Sequence, residues 1–416
     1  MTPSSSEKAG AAPWRRTLYI MVFTQMITGV GFSSIFPFLP LYVKSLGAVT
    51  SLGTDLLSGL VFSAQAFTMM IASPFWGALA DRWGRKLMVE RAMFGGAVIL
   101  LLMAFVRSAE ELVLLRTIQG LITGTIGAAN ALVASQVPRE RTGYAMGLLQ
   151  VGMGCGVGLG PVIGGALADA FGYQAAFYVT SALLAVSGTI VFFGVEEKFV
   201  APDPAAGRRP GMGSEWRNIF AAPGVLITYS LRFTDSLVRM LFIPILPLFA
   251  LELIAEATGV NSFTGLVIGS AAAAAAVFAV VFGRLGDRTG HRWIVILCSL
   301  VGCVSFLLQS VATSAWHFLF LQVIAGIAHG GVITGVSALL ARYTVCGEEG
   351  AVYGLDNSIN AGARALAPML GVSVALWLGL RAVFSSAALL YLMAALLALR
   401  GLPRTVACGK PDVTVR

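Results

Sequence analysis

The sequence predicts an all-α polytopic membrane protein, with twelve transmembrane helices in two pseudo-symmetric six-helix halves. Three observations predict this fold class: an apolar composition, twelve apolar runs of spanning length, and an internal repeat. Of the 416 residues, 57% are hydrophobic and only 12% are charged, whereas soluble domains are about one quarter charged. This composition cannot cover the surface of large soluble domains, so the chain belongs in a membrane through most of its length.

Twelve apolar runs are long enough to cross a bilayer, which takes ~20 residues as a helix. Only helices and closed barrels satisfy the backbone in lipid, and these runs lack the strict alternation of barrel strands. The predicted spans are 18–43, 56–79, 88–106, 112–134, 144–168, 175–195, 224–250, 263–283, 293–311, 316–340, 351–379 and 382–399.

The distribution of basic residues predicts the orientation. Most of the 28 Lys and Arg residues fall in the tails and in alternate loops, including those around Arg85, Arg141, Arg209 and Arg288. Basic loops stay in the cytoplasm, so both termini are predicted to face the cytoplasm, in a cell inner (plasma) membrane. The predicted organisation is a cytoplasmic tail (1–17), an N-terminal half (18–195), a polar cytoplasmic linker (196–222), a C-terminal half (223–399) and a second cytoplasmic tail (400–416).

The two halves repeat each other in sequence. GALADRWGRK at 77–86 recurs as GRLGDRTGHR at 283–292, and FPFLPLYV at 36–43 recurs as IPILPLFA at 243–250. Further matches follow in the same order in both halves, such as Gly160-Pro161 with Ala367-Pro368. Such internal repeats are typical of secondary transporters, which bind substrate between the halves near the middle of the membrane.

The loop after the second run carries a dense motif of glycine and charge, and the repeat carries a second copy. The motif residues are Gly77, Asp81, Arg82, Gly84, Arg85 and Lys86, with Gly283, Asp287 and Arg288 in the copy. Both copies resemble the signature of the major facilitator superfamily between helices 2 and 3 and between helices 8 and 9. The resemblance implies a loop that latches the cytoplasmic side of the outward-open state. The alternative is a basic loop that only obeys the orientation rule.

The fifth run is rich in glycine at regular spacing. Its residues Gly147, Gly156, Gly160, Pro161, Gly164 and Gly165 match the antiporter motif of the superfamily at every fixed position. Together with FSSIFPFLPLYV (32–43) and ASPFWGALADRWGRKLM (72–88), they resemble multidrug exporters of the MdtG type, in the twelve-helix drug:proton antiporter-1 group. The resemblance implies export. A four-residue glycine stripe also lets a neighbouring helix approach closely, so generic packing is the alternative.

The fourth run contains Arg116, with Gln119, Thr123 and Asn130 on the same face of a continuous helix. A guanidinium near the centre of a membrane helix costs ~2.5–3.5 kcal/mol, so it needs a partner or a wet cavity. The placement of Arg116 and Gly120 resembles a superfamily motif linked to proton coupling. The alternative is an arginine that reaches out to the membrane interface.

Two further runs carry charges at helical spacing. The seventh run (helix 7) contains Arg232, Asp235 and Arg239. The eleventh run (helix 11) contains Asp356, Asn360 and Arg364. The helix 7 charges cost roughly +7.5 to +10 kcal/mol on the insertion scale, more than the roughly −4 to −8 kcal/mol that its apolar residues return. This face must therefore point inward. Asp235 and Asp356 are candidate proton carriers, His317 and His329 are weaker ones, and Arg232 and Arg239 are candidates to hold an anion. A structural salt-bridge network is the alternative.

These observations predict a secondary transporter that works as a monomer, without enzymatic activity, cofactor or metal site, and that exchanges protons for small amphipathic molecules. An exporter of a siderophore or another endogenous metabolite is the main alternative, because the helix 7 charges depart from the drug-exporter pattern. A proton symporter for organic anions, or a receptor without transport, fits less well. ATP-driven pumping lacks its G-x4-GK[ST] loop, and the scattered basic residues disfavour nucleic-acid binding.

Overall fold

A computed structural model describes residues 13–138, 141–197, 224–254, 259–343 and 349–402. These residues form helices joined by short turns. In the N-terminal half the helices are α1 (Pro13–Ser33), α2 (Leu39–Leu46), α3 (Thr54–Trp83), α4 (Arg85–Met103), α5 (Ala109–Ile122), α6 (Thr125–Gln136), α7 (Thr142–Phe171) and α8 (Tyr173–Gly194). In the C-terminal half they are α9 (Val225–Leu241), α10 (Leu246–Leu253), α11 (Val260–Thr289), α12 (His291–Ser310), α13 (Ala315–Tyr343), α14 (Glu349–Leu378) and α15 (Leu380–Gly401).

The helices match the predicted polytopic fold. Nine spans within the described residues are long and apolar enough to cross a membrane, and α9 with α10 forms a tenth, bent by 49°. The remaining two predicted spans, α1 and α4, are not among these ten. The first turn of α1 contains Arg15 and Arg16, and α4 carries four charges in its first two turns. Most of the predicted linker (198–222) and the two tail ends lie outside the described residues, so the domain boundaries stay predictions.

Three predicted spans differ from the prediction, because each is broken into two helices. The first breaks between Ser33 and Leu39 and the seventh between Leu241 and Leu246, in the two copies of the proline-containing repeat. Proline lacks the N–H that a helix interior needs, so the new helix begins beside Pro40 or Pro247. The fourth span breaks at Gly124, which has φ +157°. This break places Arg116 and Asn130 on two successive helices, whereas the sequence predicted one continuous helix.

The two halves pack their helices in the same way. The first and fifth spans (α1 and α7) pair in one half, as α9 and α14 do in the other. Gly120 of α5 lies against the backbone carbonyl of Gln65, and its repeat partner Gly326 of α13 lies against that of Ala271. The sequence repeat therefore corresponds to a repeat of close helix contacts.

The halves meet through α7 with α11 and through α3 with α14. Their close contacts lie toward the end of the bundle away from the termini. There the Asp169 carboxylate accepts hydrogen bonds from Asn261 Nδ2 and Ser262 N, both at 2.7 Å, and Gly59 lies against Met369. Where α7 approaches α11 along its last half, a methyl group added to Gly269 would come 2.8 Å from the Gly158 carbonyl oxygen. The bundle is therefore closed at this end.

The outward faces of the helices expose large apolar side chains. Trp377 is 87% exposed, Phe193 77% and Trp316 71%. Soluble monomers rarely expose extensive apolar surface, whereas lipid requires it. The outer surface therefore fits a bilayer, and the buried polar groups point to the interior of the bundle.

Candidate functional site

The buried charges of the C-terminal half gather around Asp235 of α9. The Asp235 side chain is only 3% exposed. Its Oδ1 atom lies 2.9 Å from Nδ1 of His329 in α13 and accepts a hydrogen bond of 3.1 Å from the Tyr391 hydroxyl in α15. Arg239 and Arg232, on the same helix, also act electrostatically on this carboxylate. Three helices therefore converge on one carboxylate oxygen, and a titratable imidazole is among its partners.

Tyr391 is held in place by its surroundings. It is 2% exposed, and its ring stacks on Phe306 with centroids 5.8 Å apart. Gly302 of α12 leaves room for the ring, because a methyl group there would lie 3.1 Å from Tyr391 Cδ2. The hydroxyl is thereby fixed toward Asp235, as a buried tyrosine hydroxyl requires a partner.

A second set of polar contacts joins α9 to α14. The Arg232 Nε atom lies 3.2 Å from Asp356 Oδ1, in an ion pair whose side chains are 15% and 14% exposed. Asn360 donates from Nδ2 to the Asp356 backbone oxygen at 3.0 Å, and its Oδ1 accepts a hydrogen bond from the Ser236 hydroxyl. Arg364 follows one turn later on α14, within electrostatic range of Arg239 and Arg232. The charged residues predicted in the seventh and eleventh runs therefore share one interface, between α9 and α14.

Arg116 in the N-terminal half is buried with uncharged partners. The residue is 1% exposed. Its guanidinium donates to the Val61 carbonyl at 3.2 Å, to Gln119 Oε1 at 2.7 Å and to Gln65 Oε1 at 3.4 Å, and it lies 5.8 Å from the Phe62 ring centroid. Among the described residues, no carboxylate comes within ion-pair distance. The interior position agrees with a buried arginine and not with one that reaches the interface.

The motif loops lie at the end of the bundle that carries the termini. The Glu197 carboxylate accepts hydrogen bonds from the backbone N–H groups of Arg85 (3.0 Å) and Lys86 (2.8 Å), which begin α4. A carboxylate at a helix N-terminus satisfies free donors there and complements the helix dipole. Arg82 is exposed, whereas the side chain of Asp81 and the surroundings of Gly77 lie outside what the structure describes.

The second copy of the motif has different partners. Asp287 Oδ1 lies 3.6 Å from Nε2 of His291, which is buried at the start of α12. Arg288 is exposed, and Gly283 lies against Thr334, since a methyl group there would be 3.3 Å from Thr334 Cγ2. The residue that would correspond to Glu197 falls beyond Leu402, outside the described residues.

The glycines of α7 pack mainly against α1. A methyl group on Gly156 would lie 2.9 Å from Gly29 Cα, and one on Gly160 would lie 2.7 Å from the Val30 carbonyl oxygen. Gly164 lies against the backbone of Ser34, while Gly165 contacts Asn261 of the other half. Gly147 has open space around it, and Pro161 lies inside the continuous helix, its carbonyl oxygen against Gly265.

Sequence reasoning identified most of the charged residues but not all of their partners. It ranked His329 as a weaker candidate, and it did not name Tyr391, Ser236 or Gln65. No spacing rule connects helices that are distant in the chain. A polar residue facing inward on an otherwise apolar helix, such as Tyr391 on α15, is the signal that could have found them.

The fold and the site define a class of protein: a polytopic membrane transporter built from two related helical halves, with charged residues buried inside the bundle. The chain belongs to the Major Facilitator Superfamily, whose family model matches residues 21–234 and 228–413. This membership confirms the family predicted from the two motif loops and from the glycines of the fifth run, which forms α7.

Individual relatives cover nearly the whole chain. It is 33% identical over 401 residues to "Multidrug resistance protein MdtG" of Enterobacter lignolyticus (strain SCF1), covering 96% of this chain and 95% of the relative. It is 34% identical over 374 residues to the protein of the same name from Dickeya zeae (strain Ech586), covering 89% and 90%. The predicted resemblance to MdtG-type exporters is therefore confirmed.

Solved structures share the fold at low sequence identity. The crystal structure of a bacterial homolog of the human lysosomal transporter Spinster, in an inward-facing and occupied conformation, gives a TM-score of 0.77 at 14% identity. The match covers 94% of this chain and 97% of that one.

Proposed function

We propose that this protein is a proton-driven exporter of small amphipathic molecules such as drugs, acting as a monomer in the inner membrane with both termini in the cytoplasm. The observation that carries the proposal is the buried Asp235 carboxylate, bonded to His329 and Tyr391 in the interior of the bundle. The antiporter motif in α7 and the names of the relatives support export of drugs.

Asp235 is the best-placed proton carrier. Intramembrane carboxylates that pair with imidazoles are typical of proton relays in pumps and transporters. Asp356 also lies within a span, but its carboxylate already forms an ion pair with Arg232 and accepts a hydrogen bond of 3.3 Å from Asn360 Nδ2. The proton assignment favours Asp235, because its carboxylate is bonded to an imidazole and a phenol and, among the described residues, has no arginine within ion-pair distance.

The contacts between the halves support alternating access. They close the end of the bundle away from the termini, which is the outer side in the proposed orientation, so a change of state would have to break them. Protonation of Asp235 changes the balance between inward- and outward-facing states only to the extent that its free energy differs between them.

Export of a siderophore or another endogenous metabolite is the second candidate. The interface between α9 and α14 carries three arginines and two aspartates, an excess of one positive charge. A cationic lining favours anionic or chelating molecules over the cations typical of drug exporters. A proton symporter for organic anions would use the same lining, but the antiporter motif in α7 favours export.

The orientation can be tested by thiol labelling. We expect single cysteines at Arg85, Arg141, Arg209 and Arg288 to resist an impermeant maleimide on intact cells, in a variant that lacks the native cysteines. A cysteine at Arg107, in a predicted outer loop, is the positive control. Labelling at two or more of the four positions would contradict the proposed topology.

Transport can be tested in inside-out membrane vesicles. We expect respiration-driven acidification to cause uptake of at least one dye from a panel containing a cationic, a neutral and an anionic amphipathic dye. A protonophore should abolish this uptake, and vesicles without the protein should show none. Uptake that persists without a proton gradient, or no uptake of any dye, would contradict proton-driven export.

A further inference from the structure

A cavity of about 230 Å³ lies between the two halves, at the end of the bundle away from the termini. Its wall from the N-terminal half carries Lys44 in the last turn of α2 and Asp55 in the first turn of α3. The opposite wall comes from the start and length of α10 and from α14 and α15, and its side chains are apolar, among them Ile245, Leu248 and Leu376. The cavity therefore has one charged wall and one apolar wall.

The two charges of the first wall form an ion pair that is open to solvent. The Nζ atom of Lys44 lies 2.9 Å from Oδ1 of Asp55, and the two side chains are 40% and 42% exposed. An ammonium has three N–H donors and a carboxylate has two acceptor oxygens, so this single contact leaves both groups able to bind a ligand. An ion pair this exposed stabilises the fold little, so a ligand that brings both charges can rearrange it without a large loss.

The rim of the cavity continues into the lipid-facing surface. Leu251 and Leu376 on the apolar wall are 39% and 52% exposed, and Trp377, next in the chain, is 87% exposed. Tryptophan is enriched where the hydrocarbon core meets the headgroups, and the ion pair lies at helix ends, as charged groups at the membrane surface do. The charged wall is therefore at the level of lipid headgroups, beside apolar surface for acyl chains.

The size and the charge of the cavity restrict what it can hold. Pockets for whole drug-sized ligands measure ~300–1,000 Å³, so this cavity suits a small polar group whose apolar part lies outside it. A cation and an anion side by side complement a ligand that carries both charges. A purely anionic group would lie beside the Asp55 carboxylate without a cation to offset the repulsion, and a purely cationic group would meet Lys44 in the same way.

We propose that this cavity binds the headgroup of phosphatidylethanolamine, a zwitterionic phospholipid with a primary ammonium. The phosphate accepts a hydrogen bond from Lys44, and the ammonium donates one to Asp55, so that both bonds are charge-assisted. The acyl chains lie along Leu251 and Leu376. This inference goes beyond the proposed export function and does not depend on it.

The position of the site links the lipid to the state of the protein. The charged wall belongs to the N-terminal half and the apolar wall to the C-terminal half. The cavity is therefore complete only while this end of the bundle is closed. A lipid that binds both walls favours the closed end by the difference of its binding free energy between the two states.

Native mass spectrometry of the purified full chain in detergent tests the site. We titrate the protein with phosphatidylethanolamine, phosphatidylcholine and phosphatidylglycerol of identical acyl chains and measure the bound fractions. Phosphatidylethanolamine should bind about fivefold more tightly than the other two, as expected for one charge-assisted hydrogen bond at a partly exposed site. Phosphatidylcholine has no N–H to donate to Asp55, and phosphatidylglycerol has no cation.

Three variants locate the preference in this cavity. Asp55→Asn removes the partner of the ammonium, so binding of phosphatidylethanolamine should fall about fivefold and phosphatidylglycerol should bind at least as well. Lys44→Gln removes the partner of the phosphate and should weaken phosphatidylethanolamine by a similar factor. Ala375→Phe fills the cavity but leaves both charges in place, and it should abolish the preference. An ion pair with a purely structural role would not reverse the order of the lipids in Asp55→Asn.

Glu252→Gln and Arg107→Gln are the matched controls. Glu252 is an exposed carboxylate on α10 next to the cavity, and Arg107 is an exposed arginine in a turn after α4, and neither lines the cavity. Both variants should keep the preference for phosphatidylethanolamine. If a variant of the ion pair fails to give a monodisperse protein, Ala375→Phe still tests the site with the pair intact.

Two outcomes would overturn the site. Equal affinity of the unmodified protein for the three lipids would contradict recognition of the zwitterion. A preference that persists in Asp55→Asn, Lys44→Gln and Ala375→Phe would place the lipid elsewhere on the protein. The measurement uses neither a proton gradient nor a dye, so failure of dye uptake in vesicles leaves the lipid site valid, and failure of the lipid site leaves proton-driven export valid.

Discussion

Two helix pairs related by the internal repeat, α1 with α7 and α9 with α14, pack in different ways. In the N-terminal pair, backbone meets backbone: a methyl group on Gly152 would lie 2.6 Å from the Val22 carbonyl oxygen. In the C-terminal pair, Ala363 and Ala367 occupy the positions equivalent to Gly156 and Gly160, and charged side chains join the helices. The N-terminal pair meets mainly backbone to backbone, whereas the C-terminal pair combines one such contact, Gly371 against the Leu241 carbonyl, with contacts between charged and polar side chains.

The buried charges of the two halves differ in the same sense. Arg116 is surrounded by a carbonyl and two amide side chains, none of which titrates. Asp235 is surrounded by an imidazole and a phenol, and it is itself a carboxylate, the type of group that carries protons in pumps and transporters. The comparison indicates that the buried Arg116 of the N-terminal half is held by neutral groups, while the buried Asp235 of the C-terminal half is held by an imidazole and a phenol.

The largest effect is expected from filling the N-terminal contact. Gly156→Leu or Gly160→Leu places a large side chain where a methyl group already meets the backbone of α1. The cost exceeds the ~1–3 kcal/mol typical of overpacking, because backbone atoms cannot move aside as side chains do. Export should be abolished while some protein remains in the membrane, measured by dye efflux against the amount of protein on immunoblots.

Gly154→Leu is the matched control, because Gly154 lies on the same helix with open space around it. It should retain efflux. Normal efflux in both Gly156→Leu and Gly160→Leu would show that the glycine stripe is not a packing surface, and the contrast between the two helix pairs would lose its basis.

The sequence predicted the two halves and the inward-facing charges because both follow from local rules. Periodicity and charge placement each act within a short stretch of chain, and the repeat is found by comparing short stretches of the two halves. The helix breaks at Ser33 and Leu241 were missed, although the repeated prolines at Pro40 and Pro247 mark them. The spans are apolar across the breaks, so hydrophobicity alone does not reveal them.

The partners within the site could be predicted only in part. Arg232 and Asp356 were both expected to face inward, but their pairing depends on the register of α9 against α14, which no single helix encodes. His329 and Tyr391 come from α13 and α15, far from Asp235 in the chain. Their convergence is a property of the packed bundle, and a sequence without aligned relatives does not contain that information in readable form.

The next largest effect is expected at Asp235. Asp235→Asn keeps the shape and one hydrogen-bond acceptor but cannot exchange a proton, so proton-driven efflux should fall to the background of cells lacking the protein. Binding of substrate should persist, measured by calorimetry on the purified variant. Glu252→Gln is the control, because Glu252 is an exposed carboxylate on α10 in the same half and lies outside the motifs.

A structural role for Asp235 predicts a different pattern. The variant would then lose abundance and binding together, since an unpaired buried group destabilises the fold. If Asp235→Asn exports at the normal rate under a proton gradient, the proton carrier lies elsewhere, with Asp356 as the next candidate. The C-terminal half would still hold the titratable groups, but with its two carboxylates in exchanged roles.

The smallest effect is expected where the halves touch. Asp169 of α7 accepts two hydrogen bonds at the start of α11 and so joins the halves at the end away from the termini. Asp169→Asn leaves an amide that can accept only weakly from Ser262 N, and the site is exposed, so the loss is about 1 kcal/mol. That loss should shift the ratio of open to closed states at this end about fivefold. Spin labels at Phe105 and Thr313, exposed positions in opposite halves, would report the shift as a larger population of long distances.

Glu110→Gln is the matched control: Glu110 also accepts backbone N–H groups, at Val49 and Thr50, but within one half. An equal shift in both variants would mean that loss of any carboxylate loosens this end, whereas a shift in Asp169→Asn alone identifies the contact between the halves as the one that opens.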